Sequence, residues 1–232
     1  MSFTNLPEWD PSTSFKKGEA FTFCMGCPRR SGKSYLFRHL FKSVFQHQFD
    51  LFVVFSETLE SKTGEEFYNL FPHKNAVLFN RFKPEKLEAL KRLQTTFMNR
   101  TGTMLNVLVV IDDCSSSLKD SKPLEDIFAR GRHKQTSVIW LSQRPTMFSS
   151  TVRGNCEFVG IFKATDPQSA EFTQKSLVGS NLPDSFGTKK ADKIRALMNI
   201  PKHNLMVLDS TIDEPVSMKT GEKTRLFRFQ AP

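Results

Sequence analysis

The residues from Gly26 to Ser34 have the types and spacing of a loop that binds phosphate groups. The segment reads Gly-Cys-Pro-Arg-Arg-Ser-Gly-Lys-Ser and lies between an apolar run and a stretch with helical spacing. In a Walker A loop, glycine lets backbone amides approach the phosphates and a lysine reaches the β- and γ-phosphates. This pattern predicts a nucleotide site made by Gly26, Cys27, Pro28, Arg29, Arg30, Ser31, Gly32, Lys33, Ser34 and Tyr35.

The loop departs from the eight-residue Walker pattern at its first position. Cys27 stands where the pattern has glycine, and Gly26 comes one residue early. We therefore expect a shifted turn or weaker binding, because glycine adopts left-handed backbone angles most easily. The end of the pattern, Gly32-Lys33-Ser34, is intact. It predicts that ATP binds with Mg²⁺ and that the Ser34 hydroxyl is a ligand of the metal.

Two acids follow an apolar run further along the chain, in the Walker B arrangement. The run Leu105 to Ile111 is interrupted only by Asn106 and is followed by Asp112 and Asp113. We expect Asp112 to hold Mg²⁺ through its water shell and Asp113 to orient and deprotonate the attacking water. Glu57 follows another apolar run and is a rival catalytic base that we rank below Asp113.

Two further groups could act on the γ-phosphate. Gln143 follows the apolar run 137–142, and its amide could accept from the attacking water and donate to the phosphate. The basic turn 130–134 reads Arg-Gly-Arg-His-Lys, and in an oligomer it could project an arginine into a neighbouring nucleotide site. The spacing does not distinguish Arg130 from Arg132.

These residues must be brought together by strands and helices. Apolar runs predict strands at 21–25, 51–55, 105–111, 137–141 and 158–162. Apolar residues at helical spacing predict helices at 84–97, 123–130 and from 166 to about 177. This alternation predicts an α/β P-loop NTPase with a mostly parallel central sheet flanked by helices. We expect an irregular N-terminal arm at 1–18, an ATPase core at 19–180 and an extension with short strands at 181–232.

Composition limits the partners and the compartment. The chain has 232 residues and a formal net charge of +9, which fits a polyanion partner. Its sequence contains no run of about 18 apolar residues and no signal segment near Met1, so we expect an intracellular protein without a membrane span.

The ordered set of motifs resembles the DNA-packaging ATPases of large eukaryotic DNA viruses, of the poxvirus type, with relatives in virophages and Polinton-like elements. These belong to the FtsK/HerA class of motors. The resemblance covers about residues 20 to 165 and depends on the segments 29–34, 112–113, 131–133 and 141–143.

The resemblance implies a homo-oligomeric ring, pentameric or hexameric, that hydrolyses ATP and moves double-stranded DNA into a viral capsid. In such a ring Gln143 is a sensor and Arg132 a finger that acts on a neighbouring subunit. Capsid proteins would be partners, and the protein would act in the host cytoplasm, in a viral factory or in the virion. Candidate contacts to the DNA backbone are two basic clusters, namely Lys83, Lys86, Lys91 and Arg92, and Lys189, Lys190, Lys193 and Arg195.

Two other functions remain open from sequence. A small-molecule kinase of the nucleoside or shikimate type also carries an early phosphate loop, but it usually lacks a second acid such as Asp113. A non-catalytic nucleotide-binding capsid adaptor would fit a loop weakened at Cys27, although Lys33, Ser34 and Asp112 are all retained. The sequence contains no feature that selects ATP over GTP.

Overall fold

The computed structural model describes residues 3–26, 28–59, 69–72, 74–114, 118 and 121–231. Its strands, in chain order, are β1 Thr22–Gly26, β2 Leu51–Ser56, β3 Ala76–Phe79, β4 Val107–Asp112, β5 Thr136–Ser142, β6 Phe158–Ile161, β7 Asn204–Asp209, β8 Val216–Ser217, β9 Lys223–Thr224 and β10 Leu226–Gln230. The helices are α1 Pro11–Ser14, α2 Lys33–Leu40, α3 Pro84–Thr101, α4 Lys122–Arg130, α5 Ser150–Gly154, α6 Pro167–Thr173 and α7 Lys190–Met198.

In the described part of the chain, eight strands form one sheet in the order β10-β7-β6-β1-β5-β4-β2-β3. The six strands from β6 to β3 are parallel, whereas β7 and β10 add an antiparallel edge. The predicted α/β fold with a mostly parallel sheet is therefore confirmed. The strands β8 and β9 form a separate hairpin.

Side chains of successive strand residues point to opposite faces of the sheet and form two cores. On one face, Phe52, Val54, Leu108 and Val110 pack with Leu36, Phe37 and Leu40 of α2. On the other, Val53, Phe55, Val107 and Val109 pack with residues of α3, α4, α6 and α7. Burial on both faces explains why these strands are continuous apolar runs in the sequence.

The strand predicted from Leu105 begins two residues later. The Leu105 N–H donates to the Gln94 side chain at 3.1 Å, and the Asn106 N–H donates to Asp50 at 2.8 Å. Both amides are therefore already satisfied outside the sheet, and β4 starts at Val107. The strand β3 and the helix α7 were not among the predicted elements.

The segment predicted as an irregular N-terminal arm instead contains short helical turns. A 3₁₀ turn covers Phe3–Asn5, and Asp10 caps α1 by accepting from the Ser12 N–H. Phe15, only 1% exposed, lies in the aromatic core. Aspartate at the cap and proline at the first helical position explain the helical turn.

The C-terminal residues extend the same sheet. β7 pairs with β6 and β10 pairs with β7, so the segment 181–232 contributes strands to the sheet and not only a surface hairpin. No helix in the described residues is long and apolar enough to span a bilayer.

Candidate functional site

The candidate site lies where three neighbouring parallel strands end. Gly26 at the end of β1 is in register with Ser142 of β5, and Asp112 at the end of β4 is in register with Leu141. The strand that precedes Gln143 therefore lies between the phosphate-loop strand and the acidic strand. This order places the loop, the acids and the glutamine at one edge of the sheet.

The phosphate loop joins β1 to α2 and ends in a left-handed turn. Gly32 has φ 98° and is the residue before the first helical residue, Lys33. Glycine adopts this angle without the steric cost that a Cβ brings. The N-terminus of α2 thus points its free amides towards the loop, which favours an anion.

Lys33 bridges the two acids. Its Nζ lies 2.8 Å from Asp112 Oδ1 and 2.5 Å from Asp113 Oδ2, and all three side chains are at most 15% exposed. The Ser56 hydroxyl donates to Asp112 Oδ2 at 3.2 Å, and the Asp113 N–H donates to the Leu141 carbonyl at 3.2 Å. The predicted Walker A lysine and Walker B acids therefore share one small buried cluster.

Burial is the largest influence on the pKa values of Asp112 and Cys114. Removal from water raises the pKa of Asp112, the Lys33 ammonium opposes this, and the Asp113 carboxylate adds to it. Burial, with the carboxylates of Glu57 and Asp112, also raises the pKa of Cys114 to about 12. The Cys114 thiol is therefore neutral at physiological pH and is not a nucleophile.

A cleft of about 510 Å³ opens over the loop. It is lined by Pro28, Arg29, Arg30, Gly32, Lys33, Ser34, Tyr35, Asp113 and Gln143. Tyr35 is 58% exposed and Ser34 is also exposed, so both can be reached by a ligand. Seven of the ten residues predicted for the nucleotide thus line one cleft. Gly26 and Ser31 are not in its lining, and Cys27 lies outside the described residues.

The polar atoms in and beside this cleft fit a magnesium nucleotide. Within the described residues, Asp113 Oδ1 at the cleft and Ser31 Oγ in the phosphate loop are buried without a hydrogen-bond partner. Buried polar groups left unpaired are costly, and a bound ligand or water removes that cost. A hydroxyl at Ser34 and a carboxylate at Asp112 are hard oxygen ligands of the type that Mg²⁺ prefers.

Gln143 lies at the phosphate loop and in the lining of the cleft. Its Oε1 accepts a hydrogen bond from Arg29 Nε at 2.9 Å. The end of β5 is thereby tied to the phosphate loop directly.

Glu57 lies one strand further from the loop than Asp113. It follows β2, whose last residue Ser56 is in register with Asp112. Glu57 is exposed and is not among the residues that line the cleft. Its geometry is therefore less direct than that of Asp113 for the role of base.

The two candidate finger arginines lie where the parallel strands begin, whereas the cleft of their own chain lies where these strands end. Arg132 Nη1 contacts Glu157 Oε1 at 2.6 Å, and Glu157 Oε2 accepts from the N–H of Thr22, where β1 begins. Arg130 pairs with Asp126 of its own helix. Neither arginine is placed to act on a nucleotide in its own subunit.

The sequence profile of the family described as Poxvirus A32 protein matches residues 18–181. The chain belongs to this family. The A32 match includes the phosphate loop, both acids, Gln143 and both candidate arginines. No curated protein sequence matches the chain significantly.

Solved structures share the fold of this A32-family chain. The DNA-packaging ATPase B204 from Sulfolobus turreted icosahedral virus matches with a TM-score of 0.62 at 13% identity, over 94% of this chain and 100% of that one. The genome packaging NTPase B204 from Sulfolobus turreted icosahedral virus 2, solved with AMPPCP, matches with a TM-score of 0.61 at 13% identity, over 94% and 100%. The pCW3 conjugation coupling protein TcpA matches with a TM-score of 0.57 at 12% identity, over 97% and 69%. The A32-family chain therefore has the P-loop ATPase fold of the FtsK type.

His203 is a neighbour of the loop that the motifs do not indicate. Its imidazole Nδ1 lies where a Cβ on Gly32 would approach within 2.9 Å. The two residues are far apart in sequence, and no local pattern connects them.

Proposed function

We propose that this chain hydrolyses Mg²⁺-ATP in the cleft and uses the energy to move double-stranded DNA into a viral capsid. The observation that supports hydrolysis most directly is that Lys33 is held between Asp112 and Asp113 at the end of β4. Membership of the A32 family makes the chain a viral packaging ATPase.

Each residue of the cleft has a role in this proposal. The Lys33 ammonium would move away from the two carboxylates and contact the β- and γ-phosphates, and Ser34 and Asp112 would hold the metal. When bound, Mg²⁺ would neutralise the charge that develops on the phosphate oxygens. Asp113, released from Lys33, then accepts the proton of a water that attacks the γ-phosphorus while the bond to the β,γ-bridging oxygen breaks.

Gln143 orients the attacking water and links it to the loop. Its amide group offers one acceptor and two donors. In the described structure the amide oxygen accepts one hydrogen bond from the Arg29 Nε–H, and its second lone pair can accept from the attacking water. The two N–H groups of the amide are donors, so they can donate to a phosphate oxygen, as a sensor requires.

ATP is the nucleotide we favour. The B204 protein of Sulfolobus turreted icosahedral virus 2 has been solved with AMPPCP, with ATP-gammaS and with AMP. All three are adenine nucleotides, and this chain shares the fold over nearly its whole length.

The proposal includes a ring of identical subunits. Arg132 lies at the sheet edge away from the cleft of its own chain, so it can act on a nucleotide only from another copy. We propose a pentamer or a hexamer that docks on capsid proteins inside the infected cell or in the virion.

The DNA surface does not follow from the two basic clusters. Lys190, Lys193 and Arg195 each lie beside a carboxylate, of Glu171, Asp184 and Asp192 respectively. In the first cluster Lys91 pairs with Asp126, and Lys83 and Lys86 lie over the Phe79 ring. Partly neutralised clusters give a weaker counterion-release effect than bare ones, so the DNA proposal depends on family membership.

The alternatives are less well supported. A small-molecule kinase transfers phosphate to a metabolite and needs no arginine from a neighbouring copy. An adaptor without catalysis does not require Asp113 in contact with Lys33.

Phosphate release from Mg²⁺-ATP, with and without long duplex DNA, tests the proposal. We expect DNA to stimulate the intact protein, and Lys33→Ala to lower hydrolysis at least about a hundredfold, because the charge that stabilises the transition state is lost. Lys42→Ala is the matched control, since Lys42 is an exposed lysine just after α2.

The outcomes separate the candidates. Hydrolysis that is indifferent to DNA would favour the kinase. Full activity in Lys33→Ala would disprove the assigned site, and no hydrolysis by the intact protein would favour the adaptor.

A further inference from the structure

The turn 201–203 joins α7 to β7 and lies beside the phosphate loop. β7 runs antiparallel to β6, and Met206 is in register with Ile161, which is in register with Gly26. The residues just before β7 are therefore at the edge where β1 ends. Sheet topology thus brings a segment from the C-terminal region to the nucleotide site.

The turn approaches the phosphate loop at His203 and Gly32. A Cβ on Gly32 would lie 2.9 Å from His203 Nδ1, closer than a carbon atom normally approaches. The imidazole edge therefore covers the side of the loop where Gly32 has only hydrogen. Gly32 also has φ 98°, so its conformation and its contact both require glycine.

His203 is itself held in a strained backbone conformation. Its φ is 64°, and the other described non-glycine residues with positive φ are Arg30, Asp113 and Gln135. Arg30, Asp113 and His203 all lie at the nucleotide edge, whereas Gln135 precedes β5 at the other edge. Such strain persists only where surrounding structure holds it, and it concentrates at functional sites.

The turn is anchored so that the strain can be retained. The Asn204 N–H donates to the Pro201 carbonyl at 3.1 Å, and the Asn204 side-chain amide donates to the Lys202 carbonyl at 3.1 Å. His203 is therefore fixed from the strand that follows it.

We propose that His203 is a positioning residue of the nucleotide site, whose ring holds Gly32 and the phosphate loop in the conformation that binds phosphate. This inference rests on the proposed nucleotide site. It gives the C-terminal region a part in nucleotide binding, because the anchor of the loop comes from the turn between α7 and β7.

The test compares His203→Gly with Gln135→Gly. Both substitutions remove a side chain from a left-handed residue, so both relieve backbone strain. Only His203→Gly removes the contact with Gly32. We measure thermal unfolding without nucleotide, and equilibrium affinity for a fluorescent ATP analogue with Mg²⁺.

We expect His203→Gly to lower the affinity about five- to tenfold, the size of effect that one lost packing contact gives, while its unfolding temperature does not fall. Gln135→Gly should keep the intact affinity. Replacement by phenylalanine (His203→Phe) keeps a flat ring against Gly32 and should restore most of the affinity. If His203 had only a structural role, His203→Gly would lower the unfolding temperature and the affinity together. A lower affinity with an unchanged unfolding temperature therefore identifies a positioning role.

Intact affinity in His203→Gly, alongside lost affinity in Lys33→Ala, would overturn the role of His203 and leave the nucleotide site standing. Equal losses in both glycine variants would also overturn it. Retained affinity in Lys33→Ala would instead refute the nucleotide site itself.

Discussion

At the residue scale, the central feature is a lysine between two carboxylates in a nearly dry site. Burying a charge is costly, and attraction between opposite charges only partly offsets the cost. The raised pKa of Asp112 shows that burial outweighs the attraction to Lys33 there. Ionised Asp112 therefore costs stability.

This cost predicts how stability depends on pH. The pKa of Asp112 in the fold lies above its ordinary value of 3.8, so its protonated form stabilises the fold at low pH and that contribution is lost as the pH rises through the raised pKa. Asp112→Asn cannot ionise and keeps Lys33 paired with Asp113. We expect the variant to gain thermal stability relative to the intact protein as the pH rises from about 4 to 7.

Asp166→Asn is a control with the opposite sign. Hydrogen bonds from the Ser169 N–H and the Ser169 hydroxyl hold the pKa of Asp166 below its ordinary value. The intact protein should therefore gain stability over Asp166→Asn as the pH rises through that lowered range. If the difference in unfolding temperature between Asp112→Asn and the intact protein were the same at every pH, the effect of burial on Asp112 would be contradicted.

At the scale of elements, strands covered on both faces were predictable because burial demands continuous apolar runs. Leu51 to Phe55 was predicted, and β2 covers Leu51–Ser56. β3 was not predicted, although its residues Ala76–Phe79 are all apolar, because an apolar run of only four residues does not distinguish a strand from a segment of helix.

The order of the strands could not be read from the sequence. The loop, the two acids and Gln143 were found from local patterns, yet the insertion of β5 between β1 and β4 depends on pairing between distant segments. The contact of His203 with Gly32 arises in the same way, from β7 pairing with β6. Local patterns report the composition of an element, and long-range pairing decides its neighbours.

The N-terminal turns belong to the fold energetically. The Phe15 ring centroid lies 4.4 Å from that of Phe21 and 4.9 Å from that of Phe158. We expect Phe15→Ala to lower the free energy of unfolding by about 3–5 kcal/mol, through lost burial and the cavity left behind. Urea unfolding measures this difference.

Leu93→Ala is the control, because Leu93 is 45% exposed on α3. Its free energy of unfolding should change by no more than about 0.5 kcal/mol. A similarly small change for Phe15→Ala would mean that the arm does not pack on the core in solution.

At the scale of the whole molecule, the cleft lies where the parallel strands end and Arg132 lies where they begin. Arg132→Ala should therefore abolish hydrolysis without weakening ATP binding by the isolated subunit. Mixing Arg132→Ala with Asp113→Asn should partly restore hydrolysis, since a cleft with Asp113 can then receive Arg132 from its neighbour. Phosphate release as a function of mixing ratio measures this rescue.

Mixtures of each variant with Lys33→Ala provide a control for subunit exchange. Lys33→Ala retains Arg132 and should rescue the Arg132 variant. It should not rescue Asp113→Asn, because every cleft in that mixture lacks either Lys33 or Asp113. No rescue in any mixture that exchanges subunits would count against an arginine supplied by a neighbour.

The separation of Arg132 from the cleft also bears on the symmetry of the proposed ring. In that ring, the contact between Arg132 of one copy and the cleft of the next joins two unlike surfaces, so it is a head-to-tail contact. Repetition of such a head-to-tail contact gives either a closed cyclic ring or an open helix, depending on the rotation between copies. In both cases the assembly has a direction around its axis, and each subunit can distinguish the neighbour before it from the neighbour behind it.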